Sequence, residues 1–389
     1  MKIPLKYSIR NLLARRLTSA LTIGGVALVT FVFAGVMMLA YGLKYALVSS
    51  GNPENVVVIR QSSGSEMSSF ISREQAGVIK TLPEIAVDTD GKSLVEGEVV
   101  VIINKDRRGA EHKMANITMR GIGPKSMMIR RNATLVEGRM FEQGKTEVIV
   151  GRKASERFQE CGLGESLTFG NMNWTVVGIF DAHGSAIESE IWGDVNLVMP
   201  AVDRPSYSSM TFRMQDTSKF VEMRERLIAD PRMTIDIKPE DEYYEQQTQS
   251  TTTFIKVLGY AISIIFSLGA IIGAMITMYG AVANRTKEIA TMRALGFRRR
   301  NILSAFLIEA IVITIVGGLV GLAAASLLQV ISVSTINFDT FSEIAFHFTL
   351  TPSIMLWVMI FALVMGIIGG FLPAVRASRL KIIEALRSE

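Results

Sequence analysis

Between Arg16 and Lys44 the chain runs for 27 residues without a charge, in a stretch rich in Leu, Val, Ala and Phe. A helix rises about 1.5 Å per residue and the hydrocarbon core of a bilayer is about 30 Å thick, so a run of this length can cross it. It exceeds the apolar core of about 7–15 residues found in signal peptides and ends in no small-residue cleavage pattern, so it reads as an uncleaved span. Another 28 uncharged residues lie between Lys256 and Arg285. From Asn301 to Val375 there is no Lys or Arg, and two apolar blocks, 302–331 and 354–371, flank the more polar 332–353. Four spanning helices are therefore expected, at 17–43, 254–284, 301–331 and 354–375, with 332–353 as a connecting loop.

Charge sets the expected orientation. The N-terminus through Arg16 carries five Lys and Arg, the 285–300 loop six and the tail from Arg376 four, against three acids, Glu288, Glu384 and Glu389. The 332–353 loop carries Asp339 and Glu343 and no base. The positive-inside rule then puts residues 1–16, 285–300 and 376–389 in the cytoplasm and 44–253 on the far side, in the inner membrane if the cell is bacterial. The net charge of +5 is explained by this topology and calls for no nucleic acid. A chain 49% hydrophobic yet 20% charged fits a membrane protein with a large aqueous domain.

Strand-like segments in the exported domain are 55–59, 99–103, 117–120, 146–150, 174–179, 195–199 and 210–214. Helices interleave with them: Ser72 and Gln75 match a capping box, and 217–229 has helical apolar spacing. The fold class expected is a membrane protein of four helices with an extracytoplasmic α+β domain inserted between the first two. The polar run 239–253 leads without Gly into the second span and is expected as a helical stalk.

One segment imitates a nucleotide site. Gly138 and Gly144-Lys145-Thr146 end like a phosphate-binding loop, but five residues rather than four separate the glycines, and a strand follows where a helix should open. It reads as a turn. His112 and His183 lack partners at metal-ligand spacing, and Asp181-Ala182-His183-Gly184-Ser185 reads as a polar loop rather than a triad. Cys161 is the single cysteine and reads as a packed thiol. No catalytic residue, bound cofactor or metal is expected in this chain.

The 285–300 loop carries the most information. Ile289, Met292 and Leu295 recur on one helical face, Arg285, Lys287 and Glu288 populate the start, and Gly296 can take the left-handed position that ends a helix. Glu309, about two turns into the third span, reads as the partner of an arginine among Arg298, Arg299 and Arg300, with a functional role as the alternative. Small-residue faces at Gly269 and Gly273, Gly317 and Gly321, and Gly366 and Gly370 suggest close helix packing, within the chain or across a dimer.

The motif N-R-T-K-E-I-A-T-M-R-A-L-G at 284–296 resembles the cytoplasmic coupling helix of the MacB- and FtsX-type permeases of ABC transporters. Segment 7–13 with 17–22 is similar to that family's amphipathic lead-in helix and first span. Segments 135–141, 147–151 and 174–179 are similar to its exported domain, Glu309-Ala310 with Gly317, Gly318 and Gly321 to its third span, and P-A-V-R-A-S-R-L at 373–380 to its last exit. Ile382 stands where the family often has proline.

The resemblance implies a permease coupled to ATP hydrolysis, with Mg, by two copies of a cytoplasmic ATPase supplied by a separate subunit or a fused domain. It also implies a second permease chain, identical or related. Arg285, Lys287, Glu288, Ile289, Met292, Leu295 and Gly296 would form the ATPase-coupling element, with the last three apolar side chains docking in a hydrophobic cleft. Spans one and two would carry the movement outward. Cargo would be a hydrophobic molecule, a peptide or a lipoprotein taken from membrane lipid, with an adaptor and outer-membrane channel, or a lipoprotein carrier, as further partners. The alternative is an FtsX-type regulator that activates an envelope hydrolase and moves no solute.

Overall fold

The uncharged stretches fold as long helices and the β-branched segments between them as a sheet. A computed structural model describes residues 16–109, 113–337 and 342–380. The lead-in segment 7–13, His112, Asp339 and Ile382 lie outside the described residues.

Two units separate: one from the described parts of Met1–Tyr41, Phe254–Ile331 and Phe348–Glu389, the other from Gly42–Thr253 with Ser332–His347. The first is helical, built on α1 (Arg16–Val48), α7 (Glu240–Asn284), α9 (Arg299–Ser326, extended by a 3-10 turn) and α10 (Pro352–Arg379). Each is long and apolar enough to cross a membrane. The polar stretch 240–253 forms the first turns of α7, with no break before the apolar part.

Glycine sets the closeness of packing in the helical unit. A Cβ on Gly321 would lie 2.0 Å from the Thr30 hydroxyl of α1, and one on Gly366 2.2 Å from the Thr314 hydroxyl, so α1–α9 and α9–α10 meet at small-residue faces. Gly317 meets Val26, and Gly370 meets Ala310. Gly269 and Gly273, by contrast, face open space within the chain. Phe254, Val257, Leu258, Ile264, Ile265 and Ile276 on α7 are likewise exposed, as side chains meant for lipid or another helix would be.

The second unit is built on a ten-stranded mixed sheet, ordered β10-β1-β9-β2-β3-β8-β5-β7-β4 with β6 on β7. These are β1 (Asn55–Arg60), β2 (Val95–Asp106), β3 (Met114–Ile122), β4 (Thr134–Gly138), β5 (Glu147–Gly151), β6 (Ser166–Phe169), β7 (Met172–Asp181), β8 (Glu190–Asp194), β9 (Ser209–Arg213) and β10 (Ile235–Pro239). The long β2 joins two lobes: its first residues pair with β9 and the rest with β3. In one lobe Val56, Val58, Met210, Phe212 and Ile237 pack against α2 (Arg73–Lys80) and α6 (Phe220–Ile228). In the other, Val148 and Val150 of β5 enter one core while Ile149 enters a second with Phe180 and Trp192, the two-residue period of a strand covered on both faces. Full burial of a side chain such as Ile149 is worth about 1.5–3 kcal/mol.

The expected capping box at Ser72 and Gln75 forms. The expected strand at 195–199 does not. Those residues lie in α5 (Val195–Ala201), where the Asp194 carboxylate accepts a hydrogen bond from the Asn196 amide and Val195, Val198 and Met199 bury one face. β-branched content suggested a strand, and the aspartate cap with i, i+3, i+4 burial overrides it.

The connection between α9 and α10 also differs from a plain loop. β11 (Ser332–Ile336) and β12 (Glu343–His347) pair as an antiparallel hairpin and cluster with the αβ unit.

Candidate functional site

Helix α7 stops at Asn284, and a second helix, α8 (Thr286–Ala294), starts at once, with Arg285 at its N-cap in a non-helical conformation. It ends at Gly296, whose φ of +94° lies in the left-handed region that glycine tolerates. What this helix presents outward is decided by what it buries.

Ile289 is fully buried among Met278, Ile302, Phe306, Ala374 and Ala377, and Met292 packs against the same cluster. Both therefore belong to the chain's own core, and Ile289 is not available to a partner's cleft. This corrects the shared docking face expected for Ile289, Met292 and Leu295. Leu295, 70% exposed, is the one of the three that faces out. Lys287, Glu288, Thr291 and Ala294 are exposed with it, at the four- and seven-residue steps of one helical face.

Among the described residues two polar ties fix α8 in place. Arg285 donates to the Glu309 carboxylate of α9 at 3.0 Å, with its guanidinium over the Phe306 ring and its Nε 3.9 Å from Glu288. Arg293 donates to the Ser378 carbonyl near the end of α10 at 2.9 Å. Among the described residues Glu309, 6% exposed, pairs with Arg285, and no ion pair joins it to Arg298, Arg299 or Arg300. Partial burial and the nearby charge of Glu309 push the Glu288 carboxyl above the usual carboxylate range.

The αβ unit encloses a buried ionic network that was not expected from the sequence. Arg120 donates to Glu190 at 2.8 and 3.0 Å, to Glu66 at 2.9 and 3.1 Å and to Glu98 at 2.9 Å. Arg130 pairs with Glu98 through both oxygens and lies 3.4 Å from Glu240, the first residue of α7, which in turn accepts from Asn55 at 2.8 Å. Burial opposes the charge on Glu98, but Arg130 and Arg120 outweigh it and hold the carboxyl below its usual range. These residues are scattered from 66 to 240, so no local pattern announces them.

The nucleotide-loop imitation forms the turn from β4 to β5. Gly138 and Gly144 both have positive φ, Lys145 is paired with Glu142 at 2.6 Å, and the Gly144 amide donates to Asp194. Its lysine and one of its amides are thus already engaged. Among the described residues no hydrogen bond joins His183 to Ser185, and no group of three or more metal-ligand side chains forms. Cys161 is fully buried, and burial pushes its thiol up to about 12.

The chain is similar to known proteins along nearly its whole length. Residues 19–249 match the MacB-like periplasmic core domain and residues 260–382 the FtsX-like permease C-terminal region. The macrolide export ATP-binding/permease protein MacB of Bdellovibrio bacteriovorus is 24% identical over 421 residues, covering 99% of this chain and 61% of that protein. The pyoverdine export ATP-binding/permease protein PvdT of Pseudomonas entomophila is 30% identical over 279 residues, covering 66% of this chain and 41% of that protein. The chain spans about three-fifths of the length of the MacB proteins it matches. Among solved structures, the periplasmic region of MacB from Actinobacillus actinomycetemcomitans aligns at 15% identity with a TM-score of 0.37, over 50% of this chain and 92% of that one. The extracellular domain of the noncanonic ABC-type transporter YknZ from Gram-positive bacteria aligns at 16% identity and 0.36, over 47% and 99%.

Proposed function

The chain belongs to the permeases that join a MacB-like periplasmic core domain to an FtsX-like permease C-terminal region, and from that premise we propose that it converts ATP hydrolysis by a cytoplasmic ABC ATPase into movement of its αβ unit outside the cytoplasm. The cargo class is a hydrophobic molecule, a peptide or a lipoprotein, handled on the far side of the inner membrane. In this scheme both termini and α8 are cytoplasmic, two permease chains sit over two ATPases, and ATP with Mg is used by the ATPase alone.

The observation that carries the proposal is the way α8 is held. A helix meant to receive force must be rigid toward its own chain and open toward its driver. Ile289, the Arg285–Glu309 pair and the Arg293–Ser378 bond supply the first property; exposed Lys287, Glu288, Thr291 and Leu295 supply the second. The ATPase pair can bias the permease only if it contacts α8 differently in its two nucleotide states. Leu295 provides the apolar anchor and Glu288 the charged contact for such differential binding.

The test uses the intact permease expressed with its ATPase. Glu288→Lys and Leu295→Asp should each reduce co-purification of the ATPase about tenfold or more, while membrane insertion and thermal stability stay at wild-type values. Wild-type recovery of the ATPase with both variants would refute the assignment of α8. The size of the αβ unit favours transport over the FtsX-type regulatory alternative; specific recovery of an envelope hydrolase bound to that unit would reverse the preference.

A further inference from the structure

A buried carboxylate stands at the centre of the contacts that hold the hairpin β11–β12 within the αβ unit. Glu343 is 4% exposed and sits between two arginines: Arg107, just beyond β2, at 2.5 Å, and Arg157, the last residue of α4 (Arg152–Arg157), at 3.0 Å. The same Arg157 nitrogen reaches the Ser334 hydroxyl of β11 at 2.6 Å. The Ala345 amide of β12 donates to the Ser189 hydroxyl at 3.2 Å, and a Cβ on Gly42 would lie 2.2 Å from the His347 carbonyl. Glu343 is buried while Arg107 and Arg157 keep part of their side chains in water, so parting them would leave a buried, unpaired carboxylate, and the pairing resists separation from that side.

Residues of α1, α7 and the hairpin that belong to the αβ unit meet beside this clasp. A cavity of about 40 Å³ is lined by Leu47 of α1, Tyr244 and Gln247 of α7, Ser342 and Glu343 of the hairpin, and Arg120 of the ionic network. The hairpin is also tightly joined in sequence to the spans: only Ile331 separates the 3-10 turn that extends α9 from β11, and four residues, 348–351, separate β12 from α10. Both spans are the ones to which α8 is tied.

We propose that Glu343 is a positioning residue whose clasp gives α9 and α10 their own grip on the αβ unit. On this view movement entering through α8 reaches that unit by way of the hairpin as well as through the two helices, α1 and α7, that run into it. The inference rests on the coupling role proposed for α8 and adds a path: the expected route used spans one and two alone.

Hydrogen exchange on the permease in lipid nanodiscs, with its ATPase bound, separates the claims. Without nucleotide, Glu343→Ala should speed exchange of 343–347 at least about tenfold, Arg157→Ala should act in the same direction, and Glu343→Asp should restore most of the protection. Unchanged protection of β5 and β7 shows that the αβ unit remains folded. With ATP and Mg, the wild type should show altered exchange around Arg107 and in α4; Glu343→Ala should lose that response while hydrolysis continues, and Glu343→Asp should keep it. Unaltered hairpin exchange in Glu343→Ala would overturn the clasp. A wild-type nucleotide response in Glu343→Ala would overturn the route. A wild-type permease with no nucleotide response in the αβ unit would instead refute the coupling function, and the route with it.

Discussion

Arg120 satisfies three carboxylates from inside the αβ unit, and its replacement by methionine would leave Glu66, Glu98 and Glu190 buried without it. Breaking a buried pair from one side costs about 3–5 kcal/mol, so Arg120→Met should lower the urea midpoint of the full chain in detergent, followed through buried Trp174 and Trp192, whereas Arg232→Ala, at an exposed pair with Asp230, should leave it nearly unchanged. Glu98 predicts acid lability, against the opposite pull of Glu240 in the same network, whose carboxyl burial pushes above the usual range. The folded-state value of Glu98 is depressed, so its contribution is complete above the ordinary glutamate value of about 4.3 and is lost as pH falls through the lower folded value. The midpoint should therefore decline progressively below about pH 5, and a flat profile down to pH 3 would contradict this account. None of this was legible in the sequence, because Glu66, Glu98, Glu190 and Glu240 come together only through tertiary folding. Glu309 shows a milder form of the same limit: its ionic pairing was foreseeable from its depth in an apolar run, but the choice of Arg285 over the arginines at 298–300 depends on how α8 turns back.

Elements were more legible where a period or a cap announced them. The four apolar helices, the Ser72 capping box and most strands follow from local pattern, since each signal is contained within a few turns or pleats. The 195–199 segment failed because β-branched content and burial are shared by strands and packed helices, and only the Asp194 cap distinguishes them. The α8 face was misjudged for a related reason: amphipathic spacing tells that a face is buried and does not tell against what. The glycines can be separated by experiment. Gly366→Leu should strain the α9–α10 contact by about 1–3 kcal/mol or more and lower the thermal unfolding temperature of the detergent-solubilised chain, because Thr314 stands in the way. Gly269→Leu, which meets nothing within 4 Å, should leave the unfolding temperature of the monomer unaltered. Equal losses in both variants would show that these packing assignments are wrong.

At the scale of the whole molecule, two units with separate cores are joined by helices that start in one and finish in the other, and by a hairpin that folds with the αβ unit while connecting two spans. That division suits the proposed role, in which movement is received at α8 and delivered to the αβ unit. The most direct test is the distance distribution between spin labels at exposed Asn284, the last residue of α7 beside α8, and exposed Val221 on α6, measured by pulsed electron resonance in the complex with its ATPase. The account predicts one distribution with ADP and a displaced one when ATP is trapped unhydrolysed. Identical distributions in the two states, with the ATPase bound and turning over normally, would contradict it.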